Sequence, residues 1–248
     1  PKIKSSTEPF YNSRIIKDEK ELQILKKGSK IIDEIFDVCS KKIKVDQKES
    51  ELQIILMNYA MEQQMFDTGY KSTLNPLIIA GGPNGALPHA QVSQRKFKKG
   101  DLVVTDLTLR YKGYVSDATR TFALGKISAQ ANEAYEIVRE SQKLGLKAVR
   151  PNVDCKDVDT ACRKYIEEKN YGKYFIHSTG HGIGLEVHEL PTVSSKSDTK
   201  LKENMAITVE PGIYIENKFG IRIEDSLIVR DLPIVMHKFT KDLVTIWA

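Results

Sequence analysis

The order of predicted helices and strands repeats along this chain of 248 residues, and this repeat constrains the fold more than any other feature. Helical spacing of apolar residues predicts one helix from Asp18 onward and a second over about 50–65, followed by short apolar segments typical of strands. After Gly125 the order starts again, with helices predicted over about 129–149 and 156–169. A repeat of roughly 120 residues is too long for a solenoid unit. It therefore predicts an α+β architecture, in which two related lobes pack face to face with a site between them.

The N-terminal segment differs from the rest of the chain. Residues 1–17 are polar and show no hydrophobic periodicity, so we expect a linker or the stub of an N-terminal domain, with the folded domain over residues 18–248. Asp18 is a suitable N-cap for the first helix, because Glu21 stands three positions later, as in a capping box. The first residues also lack the apolar stretch of a secretory signal, which predicts a cytoplasmic protein.

Composition excludes several classes of protein. With 40% hydrophobic and 29% charged residues, the chain is neither disordered nor fibrous. Its longest apolar runs, such as Leu77–Ala80, are far shorter than the ~20 residues of a membrane span. The net charge of +5 comes from dispersed basic residues, so no nucleic-acid partner is predicted. Cys39, Cys155 and Cys162 form no CxxC pair, which argues against disulfides and a structural zinc site, and we expect them in the core.

Two acids are predicted to share one face of a β-hairpin. The hairpin has its tight turn at Lys112-Gly113, and with a two-residue loop Asp106 lies opposite Thr119. Asp117 stands two residues before Thr119 and therefore points to the same side of the sheet. The two carboxylates can then bind one ligand. The alternative is a pair of solvated acids on an edge hairpin.

Three of the five histidines fall within twelve residues, in the segment His177–His188. Glycines on both sides of His181 let the backbone approach a ligand closely, so that this imidazole could be aimed at an ion. The segment has neither the GxxxxGK[ST] pattern of a phosphate-binding loop nor the HExxH pattern of a zinc helix. Histidines that are satisfied within a turn are the remaining alternative.

Two further acids stand at or near strands. Glu210 closes the apolar segment Met205–Val209 and is followed by Pro211-Gly212. Glu224 is predicted in the middle of a strand over 220–229, on the same face as Arg222. The alternative is an exposed strand, which would equally well explain the charges of Arg222 and Glu224.

These acids and the imidazole together suggest metal chemistry. The candidate set is Asp106, Asp117, His181, Glu210 and Glu224. Four ionised carboxylates in one cleft would raise each other's pKa values, whereas two divalent cations would balance their charge. An oxygen-rich set with one nitrogen suits Mn²⁺, Co²⁺ or Fe²⁺, and paired ions are a common means of activating water. The sequence thus predicts a hydrolase.

The chain resembles the metallopeptidases of pita-bread fold, which include methionine aminopeptidase, aminopeptidase P and Xaa-Pro dipeptidase (prolidase). The likeness covers about residues 14–246. The motifs that carry it are Gly82-Pro83-Asn84, Pro88-His89, Gly100-Asp101, Asp106, Gly113-Tyr114, Ser116–Thr121, His177–Pro191, Val209–Tyr214 and Arg222–Asp225. The resemblance implies a metallopeptidase catalytic domain over residues 18–248.

The resemblance also implies a role for each member of the candidate metal set. Asp117 and Glu224 would bridge two ions, Asp106 would chelate one, and His181 with Glu210 would hold the other. Manganese or cobalt would be the expected metal.

Catalytic roles are implied for three residues. Glu210 would also take the proton of the attacking water, His188 would stabilise the developing oxyanion, and His89 would contact the substrate near the leaving residue. The residues expected to line the pocket or to orient the ligands are His177, Tyr214 and Arg222.

Within the family, the EPGIY, RIED and SDATRT segments resemble the proline-specific branch. An Xaa-Pro bond has no N–H and carries a rigid ring, so it requires a shaped pocket. We therefore expect a short peptide substrate with proline after the cleaved bond; methionine aminopeptidase activity and a non-catalytic binding module on the same fold are the alternatives. Thr108 and Phe219 stand where the family usually has glycine, and each is expected to narrow the pocket. Proline-specific members usually carry an additional N-terminal domain that helps to form dimers, and this chain begins in the expected linker after it; the resemblance therefore allows a homodimer without predicting the oligomeric state.

Overall fold

The structure, a computed structural model, describes residues 8–66 and 77–247. Within these ranges the chain forms five α-helices and two short 3-10 helices, Gly82–Ala86 and Gly172–Tyr174. The α-helices are α1 (Glu8–Ile15), α2 (Glu19–Lys42), α3 (Glu49–Glu62), α4 (Ala129–Ala148) and α5 (Cys155–Glu168). No helix in the described ranges is both long and apolar enough to span a bilayer.

Twelve strands are formed by the described residues. In the first half they are β1 (Met65–Phe66), β2 (Leu77–Gly81), β3 (Leu102–Tyr111) and β4 (Tyr114–Leu124). In the second half they are β5 (Gly180–Gly182), β6 (Glu189–Val193), β7 (Ala206–Val209), β8 (Gly212–Ile215), β9 (Phe219–Arg222), β10 (Asp225–Ile228), β11 (Ile234–Val235) and β12 (Thr245–Ile246).

The first lobe packs α2 and α3 against a five-stranded sheet. In this sheet β1 and β2 both pair with β3, β3 pairs with β4, and β12 runs parallel to β4. The expected capping box begins α2, because Asp18 Oδ1 accepts from Glu21 N at 2.9 Å and Asp18 N donates to Glu21 Oε2 at 2.6 Å. The apolar face of α2 then buries Ile32 and Phe36 against Phe122 of β4, and each such side chain contributes about 1.5–3 kcal/mol relative to an exposed one.

The second lobe repeats this arrangement, as the sequence predicts. Helices α4 and α5 pack on a sheet of order β11-β10-β7-β5-β6, and their shared core includes Val138, Cys162 and Ile207. Strands β8 and β9 form a separate pair. The three cysteines are buried and unpaired, so their predicted place in the core is confirmed.

The β3–β4 hairpin has the predicted register. Lys112 and Gly113 form its turn with positive φ angles of 46° and 89°, the backbone that a tight hairpin turn needs. Asp106 pairs with Thr119, and Asp117 pairs with Thr108. Both acids therefore lie on the same face, and this face is turned toward the second lobe.

The second lobe is fixed to this hairpin by hydrogen bonds around the predicted acids. Glu224 N donates to Thr119 O at 3.1 Å, and Ser226 Oγ donates to Asp117 O at 2.6 Å. These bonds hold the chain between β9 and β10 directly over β4.

The structure differs from the sequence prediction at the N-terminal segment. Residues 8–15 form α1, Ile16 pairs with Met205, and Lys17 is buried, so this part of the predicted linker packs on the second lobe. Ile15 packs against the core of this lobe, but the other contacts of the segment include ion pairs and hydrogen bonds of Arg14 and Lys17, which hydrophobic periodicity does not reveal. Residues 1–7 lie outside the described residues, and the prediction of a further N-terminal domain stays a prediction.

The prediction of a single strand over 220–229 is wrong. The chain leaves β9, which pairs with β8, and enters β10, which pairs with β7, so Ile223 and Glu224 stand at a crossing between two sheets. The second predicted helix ends at Glu62 rather than Met65. Within the described residues, the strand predicted over Pro76–Ala80 is β2 (Leu77–Gly81); Pro76 itself lies outside these residues.

Candidate active site

Five side chains from both lobes converge where the lobes meet. Asp106 lies on β3 and Asp117 on β4, whereas His181 lies on β5, Glu210 follows β7, and Glu224 stands between β9 and β10. Four of them are 2–9% exposed, and the side chain of Glu210 is 16% exposed. The alternatives of solvated acids on an edge hairpin and on an exposed strand are therefore excluded.

The centre of this group has the spacing of metal ligands. Asp117, His181 and Glu224 each offer one ligand atom, and these atoms all lie within 4.8 Å of one another. Glu210 joins them through His181, whose Nε2 lies 3.2 Å from Glu210 Oε1 and 3.8 Å from Asp117 Oδ2.

Asp106 joins the group through two other residues. Its Oδ2 accepts from Arg222 Nη2 at 2.5 Å. The Thr108 hydroxyl lies 2.9 Å from Asp117 Oδ1 and 3.3 Å from Asp106 Oδ1, so it can donate to either carboxylate.

Neighbouring groups orient the remaining side chains. His181 Nδ1 lies 3.1 Å from Gly182 O, so this nitrogen carries a proton, and Nε2 is the atom turned toward Glu210 and Asp117. A metal ion would take the place of the Nε2 proton that Glu210 accepts here, as in metal-binding histidines. Thr208 Oγ1 donates to Glu210 Oε1 at 3.1 Å, and Thr119 Oγ1 donates to Glu224 Oε2 at 2.6 Å. Each of these three side chains is thus oriented by a hydrogen bond from the protein itself.

The carboxylates strongly affect one another's protonation. Burial raises the pKa of Asp117 well above its ordinary value, and the charges of Asp106 and Glu210 raise it further. Burial and the neighbouring carboxylates likewise raise the pKa of Glu224. Burial alone would also raise the pKa of Glu210, but its hydrogen bond with His181 lowers it to about 2. This cluster would be stabilised by additional positive charge.

The donor set fits divalent cations. It is oxygen-rich, contains a single nitrogen, and is buried and oriented by hydrogen bonds, which are features of sites for divalent cations. The charge count made from the sequence omitted Arg222, whose guanidinium already pairs with Asp106. Glu210 is compensated by His181, so the carboxylates with the largest deficit of positive charge are those of Asp117 and Glu224, whose pKa values are raised.

A cavity of about 510 Å³ opens beside the five residues, a volume within the ~300–1,000 Å³ typical of small-ligand sites. Its lining includes His89, His177, His181 and His188. The rings of His181 and His188 meet edge to face, with centroids 4.3 Å apart. Burial, followed by the charge of His181, lowers the pKa of His188 to about 4, so this ring is neutral near pH 7.

The residues expected to line or orient the pocket form one hydrogen-bonded chain. Arg222 Nη1 donates to Tyr214 Oη at 2.7 Å, Tyr214 Oη lies 3.0 Å from His177 Nε2, and His177 Nδ1 lies 2.8 Å from Ser178 O. Burial raises the pKa of Tyr214 to about 12 and lowers the pKa of His177. The phenol therefore stays protonated and can donate to the neutral imidazole.

The two departures from the family pattern do not act as expected. Thr108 contacts the carboxylates of Asp106 and Asp117, and Phe219 is buried in the core of the second lobe. Neither is among the described residues that line the large cavity.

The sequence analysis did not identify three cationic side chains that help to position this site. Arg120 Nη1 donates to Glu224 O at 2.6 Å, and its Nη2 donates to Asp225 Oδ1 at 2.7 Å, so it holds the crossing between β9 and β10. Arg14 and Lys17 both contact a buried acid in the cavity wall. The signal for Arg120 was a single charge within an otherwise uncharged part of β4.

The chain belongs to metallopeptidase family M24, whose family profile matches residues 23–231. Its two-lobed structure is the pita-bread fold of known prolidases. The chain is 41% identical over 232 residues to the Xaa-Pro dipeptidase of Pyrococcus horikoshii, covering 92% of this chain and 63% of the relative. It is 42% identical over 223 residues to the Xaa-Pro dipeptidase of Pyrococcus furiosus, covering 88% and 61%. This chain thus spans less than two thirds of these two curated relatives.

Solved structures give the same picture. The Xaa-Pro dipeptidase of Bacillus anthracis superposes with a TM-score of 0.91 at 40% identity, covering 98% of this chain and 67% of that one. The prolidase of Pyrococcus horikoshii superposes with a TM-score of 0.90 at 38% identity, covering 97% and 68%.

Proposed function

We propose that this chain is the catalytic part of a metal-dependent peptidase that hydrolyses the peptide bond before proline. The observation that carries this proposal is the convergence of Asp117, His181 and Glu224 within 4.8 Å at one end of the cavity. The names of the relatives supply the substrate class, since both curated relatives are called Xaa-Pro dipeptidases.

In this proposal two divalent ions, most suitably Mn²⁺ or Co²⁺, are held by the five converging side chains. Asp106 would hold one ion, His181 and Glu210 would hold the other, and Asp117 and Glu224 would be available to both. When bound, the ions supply an activated water and polarise the substrate carbonyl.

The chain's own residues supply the proton transfers and the binding contacts. Glu210, oriented by Thr208, accepts the proton of the attacking water. His188 is neutral at pH 7 and donates a hydrogen bond to the oxyanion that develops on the carbonyl oxygen of the scissile peptide bond. His89 lies on the cavity wall, where it contacts the residue that leaves.

The hydrogen-bonded series Arg222–Tyr214–His177 orients the metal ligand Asp106 and the cavity lining. Arg222 holds Asp106 at one end, and the series ends at His177 in the cavity lining. The guanidinium of Arg222 thus donates both to Asp106 and to the series that ends at His177. A shift of His177 on substrate binding would therefore change the position of the Asp106 carboxylate.

A panel of substrates tests the proposal. Purified protein with added Mn²⁺ or Co²⁺ should cleave Xaa-Pro dipeptides, and Asp117→Ala should lose both ion binding and turnover. Faster cleavage of a methionyl peptide than of any Xaa-Pro peptide would instead favour methionine aminopeptidase activity. A tight complex with another protein, without metal-dependent hydrolysis, would favour a binding module. The cytoplasmic location and the absence of a nucleic-acid partner stay predictions from the sequence, and a homodimer stays allowed by the resemblance.

A further inference from the structure

Four charged side chains form a cluster at the cavity wall beside α1. Glu189, at the start of β6, accepts from Arg14 Nη2 and, at 3.3 Å, from Lys17 Nζ. Arg14 Nη2 also lies 3.2 Å from Glu186 Oε2. The side chains of Lys17 and Glu189 are only 1% and 3% exposed. Lysine is rarely buried to this degree unless it is paired, so the contact is a specific one.

The carboxylate of Glu189 is the centre of the turn that carries His188. Glu186 N donates to Glu189 Oε1 at 3.0 Å, so the turn wraps around this carboxylate. A Cβ atom at Gly184 would lie 2.7 Å from Glu189 Oε2, so the carboxylate packs directly against this glycine and would have to shift if a side chain were added there. The position of His188, the residue directly before Glu189, therefore depends on where this carboxylate is held.

The two cations come from a backbone segment that is itself anchored. Ile16 pairs with Met205, and Lys17 N donates to Asn204 O at 3.1 Å. Tyr11 of α1 lines the same cavity as His188. Residues 8–17 thus contact the second lobe by their backbone and the cavity wall by their side chains.

We propose that Arg14 and Lys17 are positioning residues, which hold Glu189 and through it fix His188 on the cavity wall. Glu189 has two cationic partners, one at each carboxylate oxygen; losing either leaves its buried charge only partly compensated, which favours movement toward water or uptake of a proton. Either change displaces Glu189 from the centre of the turn, and His188 moves with it. The kinetic part of this inference rests on the proposed role of His188 in peptide hydrolysis.

Lys17→Met tests this inference, because methionine has a similar length and no charge. The measurements are the ring-proton chemical shifts of His188 at one pH, identified by their loss in His188→Gln, and the kinetic constants for an Xaa-Pro dipeptide. We expect Lys17→Met to shift the His188 signals and to lower kcat/KM about tenfold or more, since small misplacements of catalytic groups have effects up to ~100-fold.

Two further variants make the comparison specific. Glu189→Gln should reproduce the effect, and the double variant with Lys17→Met should be no worse than either single variant, because both act on one contact. Lys30→Met is the matched control: Lys30 is 69% exposed and forms a 4.0 Å ion pair on α2. This control should leave both measurements unchanged.

The inference is wrong if Lys17→Met keeps kcat/KM within twofold of the wild type, or if kcat/KM falls while the His188 signals stay in place. Additive effects of Lys17→Met and Glu189→Gln would also contradict it. If Lys17→Met does not fold, Arg14→Met, whose side chain is 23% exposed in the wild type, is measured in the same way. A wild-type protein that does not cleave Xaa-Pro peptides would contradict the proposed function, and the His188 shifts would then still test the positioning.

Discussion

Replacing Arg120 with methionine should strongly destabilise the protein. Its side chain is 2% exposed, and all five of its guanidinium N–H groups donate hydrogen bonds, the full number that an arginine possesses. The acceptors, at 2.6–3.0 Å, are Thr119 O, Glu224 O, Asp225 Oδ1, Phe239 O and Thr240 O. Methionine leaves the four carbonyl oxygens without these donors and Asp225 with one cation fewer.

The expected loss is about 3–5 kcal/mol, the range for removing one partner of a buried ion pair. Asp225 keeps Lys241 Nζ at 2.8 Å and Gln142 Nε2 at 2.9 Å, which favours the lower end of that range. Because domains of this kind have total stabilities of about 5–15 kcal/mol, the loss is readily measured.

Urea unfolding of the wild type, Arg120→Met and Arg139→Met provides the measurement. Arg139 is the matched control, since its ion pairs with Glu136 and Asp242 lie at the surface, with 39% of its side chain exposed. Its replacement should change the free energy of unfolding by less than about 1 kcal/mol. If Arg120→Met is destabilised by no more than Arg139→Met, the guanidinium does not hold the crossing between β9 and β10 as described.

Three other variants test the electrostatics and the catalytic roles. The raised pKa values of Asp117 and Glu224 mean that these carboxyls hold protons more tightly in the folded than in the unfolded protein. Their contribution to stability is therefore lost as pH rises above their ordinary values of 3.8 and 4.5. With a chelator present, the wild-type Tm should fall from pH 4 to 8 relative to that of Asp117→Asn, and parallel curves would contradict this. Thr108→Val removes a hydroxyl that lowers the pKa of Asp117, so calorimetry at pH 6 should show roughly tenfold weaker Mn²⁺ binding. Thr105→Val, on the opposite face of β3, is the control and should bind Mn²⁺ as the wild type does. Equal Mn²⁺ affinities of the two variants would refute the role of Thr108. His188→Gln should lower kcat about 10²–10³-fold with little change in Tm, whereas a large loss of Tm would indicate a structural role.

Local patterns in the sequence predict much of the fold. The turn at Lys112-Gly113 determines the register of β3 and β4, so the shared face of Asp106 and Asp117 follows from the sequence alone. The Asp18 capping box and the helix periods are equally local, and all of them are confirmed. Residue spacing does not predict the convergence of His181 and Glu210 with the hairpin acids, because it depends on contacts between distant segments; that prediction rested on the chemistry of the residue types and on the family resemblance.

Contacts between charged residues could not be predicted in this way. Arg14 and Lys17 lie in a segment without hydrophobic periodicity, and their partner Glu189 is more than 170 residues away in the chain. Arg120 and Arg222 are buried and form ion pairs, and the spacing of residues along the sequence does not predict these pairs. The sequence indicates a continuous strand at Glu224, because apolar residues alternate through this segment although the chain changes sheets there.

Anomalous diffraction from crystals grown with Mn²⁺ tests the central claim most directly. The account predicts two anomalous peaks for each chain, one within ligand distance of Asp106, the other within ligand distance of His181 and Glu210, and both in contact with Asp117 and Glu224. Crystals of active protein without anomalous density at these five side chains would contradict it.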